Sequence, residues 1–172
     1  SMFSKADLGI RHILPIFPFL FIFASRSINL INFTKEKVKA IIFTILIFWY
    51  VSAAIISFPN YLAYFNEFAG GPRGGYRILT DSNLDWGQDI LRIKKYTEEH
   101  QIQNGYILYP WDGDAALEYY GINFKPLLWK EDNNLRGYVI ISATYLQQDE
   151  FKWLWKYPHE QITPGVFVFN LG

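Results

Sequence analysis

Charged and apolar positions are segregated along this chain. From Ile13 to Ala24 the sequence reads ILPIFPFLFIFA without a charge, and from Ala40 to Phe58 it reads AIIFTILIFWYVSAAIISF, about nineteen uncharged residues. A helix needs roughly 20 predominantly apolar residues to cross a bilayer hydrocarbon core. The second run meets that length, and the first does so only when extended. Extension backwards takes in Arg11 and His12, extension forwards to Ile31 takes in Arg26, and Pro15 and Pro18 kink whichever helix forms. The pattern predicts two transmembrane helices, the first kinked and with its opening turns at the interface. A buried core helix is the soluble alternative for the first run.

Between the runs lies SRSINLINFTKEKVK, where Arg26, Lys35, Lys37 and Lys39 face a single acid, Glu36. By the positive-inside tendency the loop near 26–39 is cytoplasmic, so the N-terminal end and everything after Phe58 are expected to face outward. Pro59 closes the second run. The following NYLAYFNEF carries aromatic rings suited to the headgroup level, and AGGPRGG lets the chain turn sharply out of the interface. This glycine-rich stretch lacks the GxxxxGK[ST] and GxGxxG patterns of phosphate-binding loops.

Beyond the junction the periods of both strand and helix recur. YRILT at 76–80 predicts a strand, and Asp81 or Ser82 is placed to cap an amphipathic helix over 84–100 through Leu84, Ile90, Leu91, Ile93 and Tyr96. Further strands are predicted at 105–109, near 126–129, at 137–143 and at 165–171. A short helix is expected over 112–120, closed by Gly121, and another carries Leu146, Phe151, Trp153, Leu154 and Trp155. Alternating strands and helices imply a mainly parallel or mixed sheet with helices packed on it. The expected fold class is therefore two transmembrane α-helices followed by a small α/β extracytoplasmic domain. Its boundaries are 1–58 for the helices, 59–75 for an interfacial junction and 76–172 for the domain.

Composition refines this picture in few places. Of 172 residues, 51% are hydrophobic and 19% charged, with a net charge of zero, so nothing favours a nucleic-acid partner, which would need a basic face. The absence of cysteine removes disulfides, thiolate zinc sites and cysteine nucleophiles together. The opening Ser1-Met2 reads as a cut point or a cloning remnant, without the order of a signal peptide.

The densest group of chemically capable side chains is DSNLDWGQD at 81–89, and it admits three readings. Ser82 with Asp85 three residues on resembles a capping box, with early acids at the positive end of a helix dipole. Asp81, Asn83, Asp85 and Asp89 also fall at positions one, three, five and nine of a calcium loop. Trp86 stands there in place of the turn glycine, however, and Arg92 in place of the closing glutamate. Finally, Asp81, Asn83, Asp85, Gln88 and Asp89 with the face of Trp86 form a set that suits a sugar, whose hydroxyls bond to carboxylates and amides while a ring packs on its apolar side. Elsewhere, Arg11 and His12 either anchor the first helix or hold a lipid phosphate. Asp112 and Asp114 read as turn and cap residues first, with a ligand role as the alternative, and His100 and His159 as surface residues.

Two of these stretches carry a family resemblance. RHILPIFPFLFIFAS, and after a further span YLAYFNEFAGGPRGGYRILTDSNLDWGQD, are similar to the C-terminal end of bacterial membrane glycosyltransferases that take a sugar from a phospholipid carrier. These are relatives of the protein O-mannosyltransferases and of the aminoarabinose transferases acting on lipid A. The similarity covers essentially the whole chain, and FNExAGGPxxGYxxLxDSNxDWGQD is its specific part. The resemblance implies a many-helix enzyme of the plasma (inner) membrane and an inverting transfer from a polyprenyl-phosphate sugar on the outer face. It also implies an acidic base in a first outer loop that lies upstream of this chain. It implies too that Arg11 and His12 lie near the carrier phosphate, that the chain packs against upstream transmembrane helices, and that alone it is inactive. A reading from a different class is a two-span membrane protein whose exterior domain binds a glycan, a metal such as calcium, or a partner. A third is a purely stabilising domain without a ligand.

Overall fold

In the computed structural model, which describes residues 10–26, 36–80, 83–110, 113–127 and 135–172, the first apolar run begins as a 3₁₀ helix over Ile10–Ile16 and continues as helix α1, Phe17–Ser25. Pro15 lies inside the 3₁₀ stretch and Pro18 in the first turn of α1, where a missing N–H costs no helical bond. The apolar helical part, Ile13–Ser25, is too short to span a bilayer by itself. Helix α2, Lys37–Ser57, has 21 residues, about 32 Å at 1.5 Å per residue, and is the one described helix long and apolar enough to cross a membrane. From Ala40 onward it carries no charged side chain, and only Ser57 is buried. The Thr44 and Ser57 hydroxyls donate to the carbonyls of Ala40 and Ala53 at 2.9 and 2.7 Å, a bond that satisfies a hydroxyl without water.

These helices belong to one compact unit, Ser1–Tyr61, and the remainder, Leu62–Gly172, forms a second with its own core. The second unit contains short helix α3, Gly71–Gly74, then α4, Ile90–Glu99, α5, Gly113–Tyr119, and α6, Ala143–Leu146. A five-stranded sheet runs through it: β1, Gly105–Leu108; β2, Lys125–Pro126; β3, Tyr138–Ser142; β4, His159–Thr163; and β5, Val166–Asn170, in the order β2-β1-β3-β5-β4. β1 is parallel to β2 and to β3, whereas β5 pairs antiparallel with both β3 and β4. The sheet is mixed, within the expected α/β class.

Strand alternation sorts the central strands into two cores. Val139 and Ile141 of β3, with Phe167 and Phe169 of β5, join Leu84, Leu146, Phe151 and Leu154 on one face. Ile140, Val166 and Val168 join Ile90, Ile93, Ile107, Leu117 and Ile122 on the other. β3 is thus covered on both sides, as its unbroken apolar run requires.

Three expectations are corrected, and one strand is added. YRILT at 76–80 is no strand: Tyr76 lies in a 3₁₀ turn over Gly75–Arg77, and the N–H groups of Ile78 and Leu79 bond back to Gly75 O at 2.9 and 3.1 Å. Its buried ring sits edge-on to Phe167 and stacks on Trp155, so the apolar pattern reflects anchoring and not pairing. The helix expected from Leu84 starts at Ile90. The single helix expected around 146–155 is instead α6 followed by a 3₁₀ helix over Asp149–Lys156. Finally, β4 was not foreseen, because HEQIT at the sheet edge is mostly polar and takes its ladder from β5 alone. An edge strand buried on little of its surface shows no apolar alternation.

Candidate functional site

The segment from Tyr64 to Asp89 is built in two halves. In the first, Asn66 caps a 3₁₀ turn over Glu67–Ala69, its side chain accepting from the Ala69 N–H at 3.1 Å. Gly70 and Gly71 then take φ of +83° and +66°, a backbone that residues with a Cβ avoid. Gly75 lies beneath Phe65, and a Cβ there would overlap the phenyl ring. Each of these residues serves the turn itself.

The second half contains the polar cluster. Asp81 lies outside the described residues, as do Ser82 and Asp112. Asn83 closes a turn through its side-chain N–H₂, which donates to Thr80 O at 3.0 Å. Asp85 is fully buried, and its Oδ1 accepts from the Gly87 N–H at 2.8 Å and from the Tyr109 hydroxyl at 2.6 Å. Gly87 has φ of +90°, which turns the chain out of any helical path and moves the helix start to Ile90. Gln88 is engaged at both ends, its Oε1 accepting from the Trp86 N–H at 2.6 Å and its Nε2 donating to Leu84 O at 2.8 Å. The Trp86 ring is half exposed.

Asp89 occupies the N-cap position of α4 yet makes no side-chain cap bond. Its Oδ2 accepts from Thr163 Oγ1 at 2.6 Å and its Oδ1 from Arg92 Nη1 at 3.0 Å. A Cβ on Gly165 would lie 3.8 Å from Oδ2 of both Asp85 and Asp89, so the two carboxylates border the same turn between β4 and β5. Ser82, one half of the expected capping box, lies outside the described residues; Asp85, the other half, precedes the helix start at Ile90 and bonds instead to Tyr109 after β1, as Asp89 does to Thr163 at the end of β4.

The electrostatics follow from burial. Desolvation pushes Asp85 up to about 6, with the Asp89 charge acting in the same direction, against the hydrogen bonds from Tyr109, Gly87 and Trp86. Asp89 is likewise raised by burial, against the Thr163 bond and the Arg92 charge. Burial and the Asp85 carboxylate push the Tyr109 hydroxyl up as well. The cluster lies at the C-terminal ends of β1 and β3, the edge where open α/β sheets usually receive ligands. Here that edge is closed by an internal clasp of carboxylates, tyrosine and threonine. Its chemical capacity is to hold a proton near neutral pH inside the protein. Tyr109 and Thr163 carry no local signal for this role, since their partners lie 24 and 74 residues away.

A groove of about 470 Å³ opens at the opposite end of the strands, lined by Lys94, Glu98, Gln101, Gln103, Asn123 and Phe124 among others. None of the cluster residues reaches it. Among the described residues no group of three or more His, Cys, Asp or Glu could hold a metal ion. Arg11 and His12 lie in the 3₁₀ helix that precedes α1. His100 and His159 are exposed. Comparison with protein-family models, with curated proteins and with solved structures finds no match to the chain.

Proposed function

We propose that this chain is the C-terminal part of a membrane glycosyltransferase that moves a sugar from a polyprenyl-phosphate carrier to an acceptor on the outer face of the plasma (inner) membrane. In this reading the catalytic base lies upstream, both apolar runs span the membrane with neighbouring upstream helices, and the α/β unit faces outward. Arg11 and His12 stand near the carrier phosphate, where a guanidinium forms charge-assisted bonds to phosphate oxygens. The observation that carries the reading is the sequence signature at 65–89, directly after the 21-residue apolar helix. The geometry of that signature supports a supporting role over a catalytic one. Asn66, Gly70, Gly71, Gly75, Tyr76, Asp85 and Asp89 each have a structural task inside the unit. A segment so occupied is suited to hold a domain in place, and the transfer chemistry is assigned elsewhere.

The test is the full reading frame, expressed in membranes and supplied with a polyprenyl-phosphate sugar. Many upstream hydrophobic segments, an acidic first outer loop and sugar transfer are expected, with transfer reduced at least about tenfold by Arg11→Ala at normal expression, the loss of one charged phosphate contact. Unchanged transfer removes the role of Arg11. A reading frame that starts at Met2 overturns the glycosyltransferase and leaves the membrane protein with a non-catalytic exterior binding domain.

A further inference from the structure

Burial alternates through the start of the second unit. Ala63 is buried and Phe65 packs on the core, whereas Leu62 and Tyr64 are 49% and 46% exposed. Phe68 is 91% exposed, and the turn that carries it is pinned. The Ala69 N–H reaches both Asn66 Oδ1 and Asn66 O, the Gly70 N–H reaches Glu67 O at 3.0 Å, and the Gly71 N–H reaches Asn66 O at 2.9 Å. This backbone keeps the ring out of the core. A little further on, Ile78 is 58% exposed, and Arg73 and Arg77 are exposed between them. The Arg73 carbonyl accepts from Gln161 of β4 at 3.1 Å, which ties the segment to the sheet. The Arg77 guanidinium lies over the Tyr76 ring and donates to its hydroxyl. Among the described residues neither arginine has a carboxylate within ion-pair distance, and Glu67 is the one acid between Pro59 and Thr80.

We infer that the second unit seats on the bilayer surface through this segment, with Leu62, Tyr64 and Phe68 entering the headgroup–acyl boundary and Arg73 and Arg77 holding lipid phosphates. The inference rests on the membrane reading of α2 made above. Chain continuity selects a lipid surface over a protein partner. Leu62 follows Ser57, the end of α2, by five residues, which span at most about 18 Å when fully extended. That tether keeps Leu62 within this distance of the C-terminal end of α2. Aromatic rings with cations beside them are the chemistry of membrane interfaces: the ring takes the boundary, and the guanidinium takes the phosphate. A pinned phenylalanine at near-full exposure has no other apolar environment within the unit.

The chain contains no cysteine, so single nitroxide labels at Phe68→Cys, Tyr119→Cys and Phe48→Cys report depth without background. The full chain is reconstituted in phosphatidylethanolamine–phosphatidylglycerol vesicles, and each label's collisions with oxygen and with a water-soluble nickel chelate are compared. Phe48 lies mid-way along α2, and Tyr119, 83% exposed on α5, serves as the aqueous standard. The expected result is an oxygen preference at Phe68 several-fold above that at Tyr119, which falls when Arg73→Ala and Arg77→Ala are combined. A Phe68 label as aqueous as Tyr119, with the Phe48 label in lipid, overturns the inference and leaves the membrane reading standing. An aqueous Phe48 label overturns both. Oxygen preference at Phe68 that ignores the arginines overturns their hold on phosphate. If the Phe68 label is in lipid in this chain but leaves it once the upstream helices are present, a protein surface is the occupant and the inference fails.

Discussion

Tyr109 donates a 2.6 Å hydrogen bond to the fully buried carboxylate of Asp85, twenty-four residues earlier in the chain. Through it the loop after the glycine-rich junction is fastened to the C-terminal end of β1. Asp89 does the same toward β4 through Thr163. The two bonds hold the segment before α4 across the end of the sheet.

Tyr109→Phe removes the donor and leaves the buried carboxylate short of a partner, a loss of about 1–3 kcal/mol. Because the Tyr109 bond lowers the Asp85 pKa against burial, the variant also moves that group further upward. Urea unfolding of the unit 62–172, whose two core clusters are its own, is expected to show a lower midpoint with an unchanged slope. An unchanged midpoint would show that the clasp contributes nothing to stability.

The pH dependence has an unusual sign. Asp85 stands at about 6 in the folded unit against an ordinary 3.8, so the folded state binds the proton more tightly than the unfolded chain. The stabilisation from this group is fully present below about 3.8 and is lost as pH rises through about 6, on the order of 3 kcal/mol in all. Asp89, also raised, adds in the same direction. Asp149, held below its usual value by Lys152, works oppositely but from an exposed pair. The unit 62–172 is expected to be more stable near pH 5 than near pH 8. Asp85→Asn, which resembles the protonated carboxyl, should flatten the profile. A wild-type profile that rises with pH across this window would refute the assignment.

Gly75→Ala places a methyl group in the space of the Phe65 ring, an overpacking worth about 1–3 kcal/mol. The cost should shrink in a Phe65→Ala background, where the space is open. A double-mutant cycle on thermal unfolding measures the coupling, expected at about 0.5–3 kcal/mol. Additive losses would mean that the two residues do not press on each other.

Calcium is expected to leave the melting temperature unmoved. Asp85 Oδ1 and both Asp89 oxygens already accept bonds from Tyr109, Gly87, Arg92 and Thr163, and Arg92 brings a positive charge to the place where a calcium loop needs a carboxylate. A rise of several degrees in millimolar calcium, abolished by chelator, would restore the metal reading.

Much of the architecture was written in local pattern. The uncharged run from Ala40 predicts a long apolar helix because no side chain in it demands water. GYVIISA predicts a strand because β-branched residues repeat without a polar break. Gly121 closes α5 as expected, with φ of +71°. These outcomes depend on neighbours a few residues away. The fate of YRILT, the late start of α4 and the role of DSNLDWGQD do not. Asp85 in sequence can be read as a helix cap, a sugar ligand or, against two mismatches in the loop pattern, a calcium ligand, since each uses a carboxylate. Only folding brings Tyr109, Thr163 and Gly165 around it, and a buried carboxylate must take the donors it meets there. The sequence alone determined which segments are apolar enough to form a long helix or a buried strand. The tertiary structure decided that Asp85 and Asp89 face inward, where burial commits each acid to an internal partner.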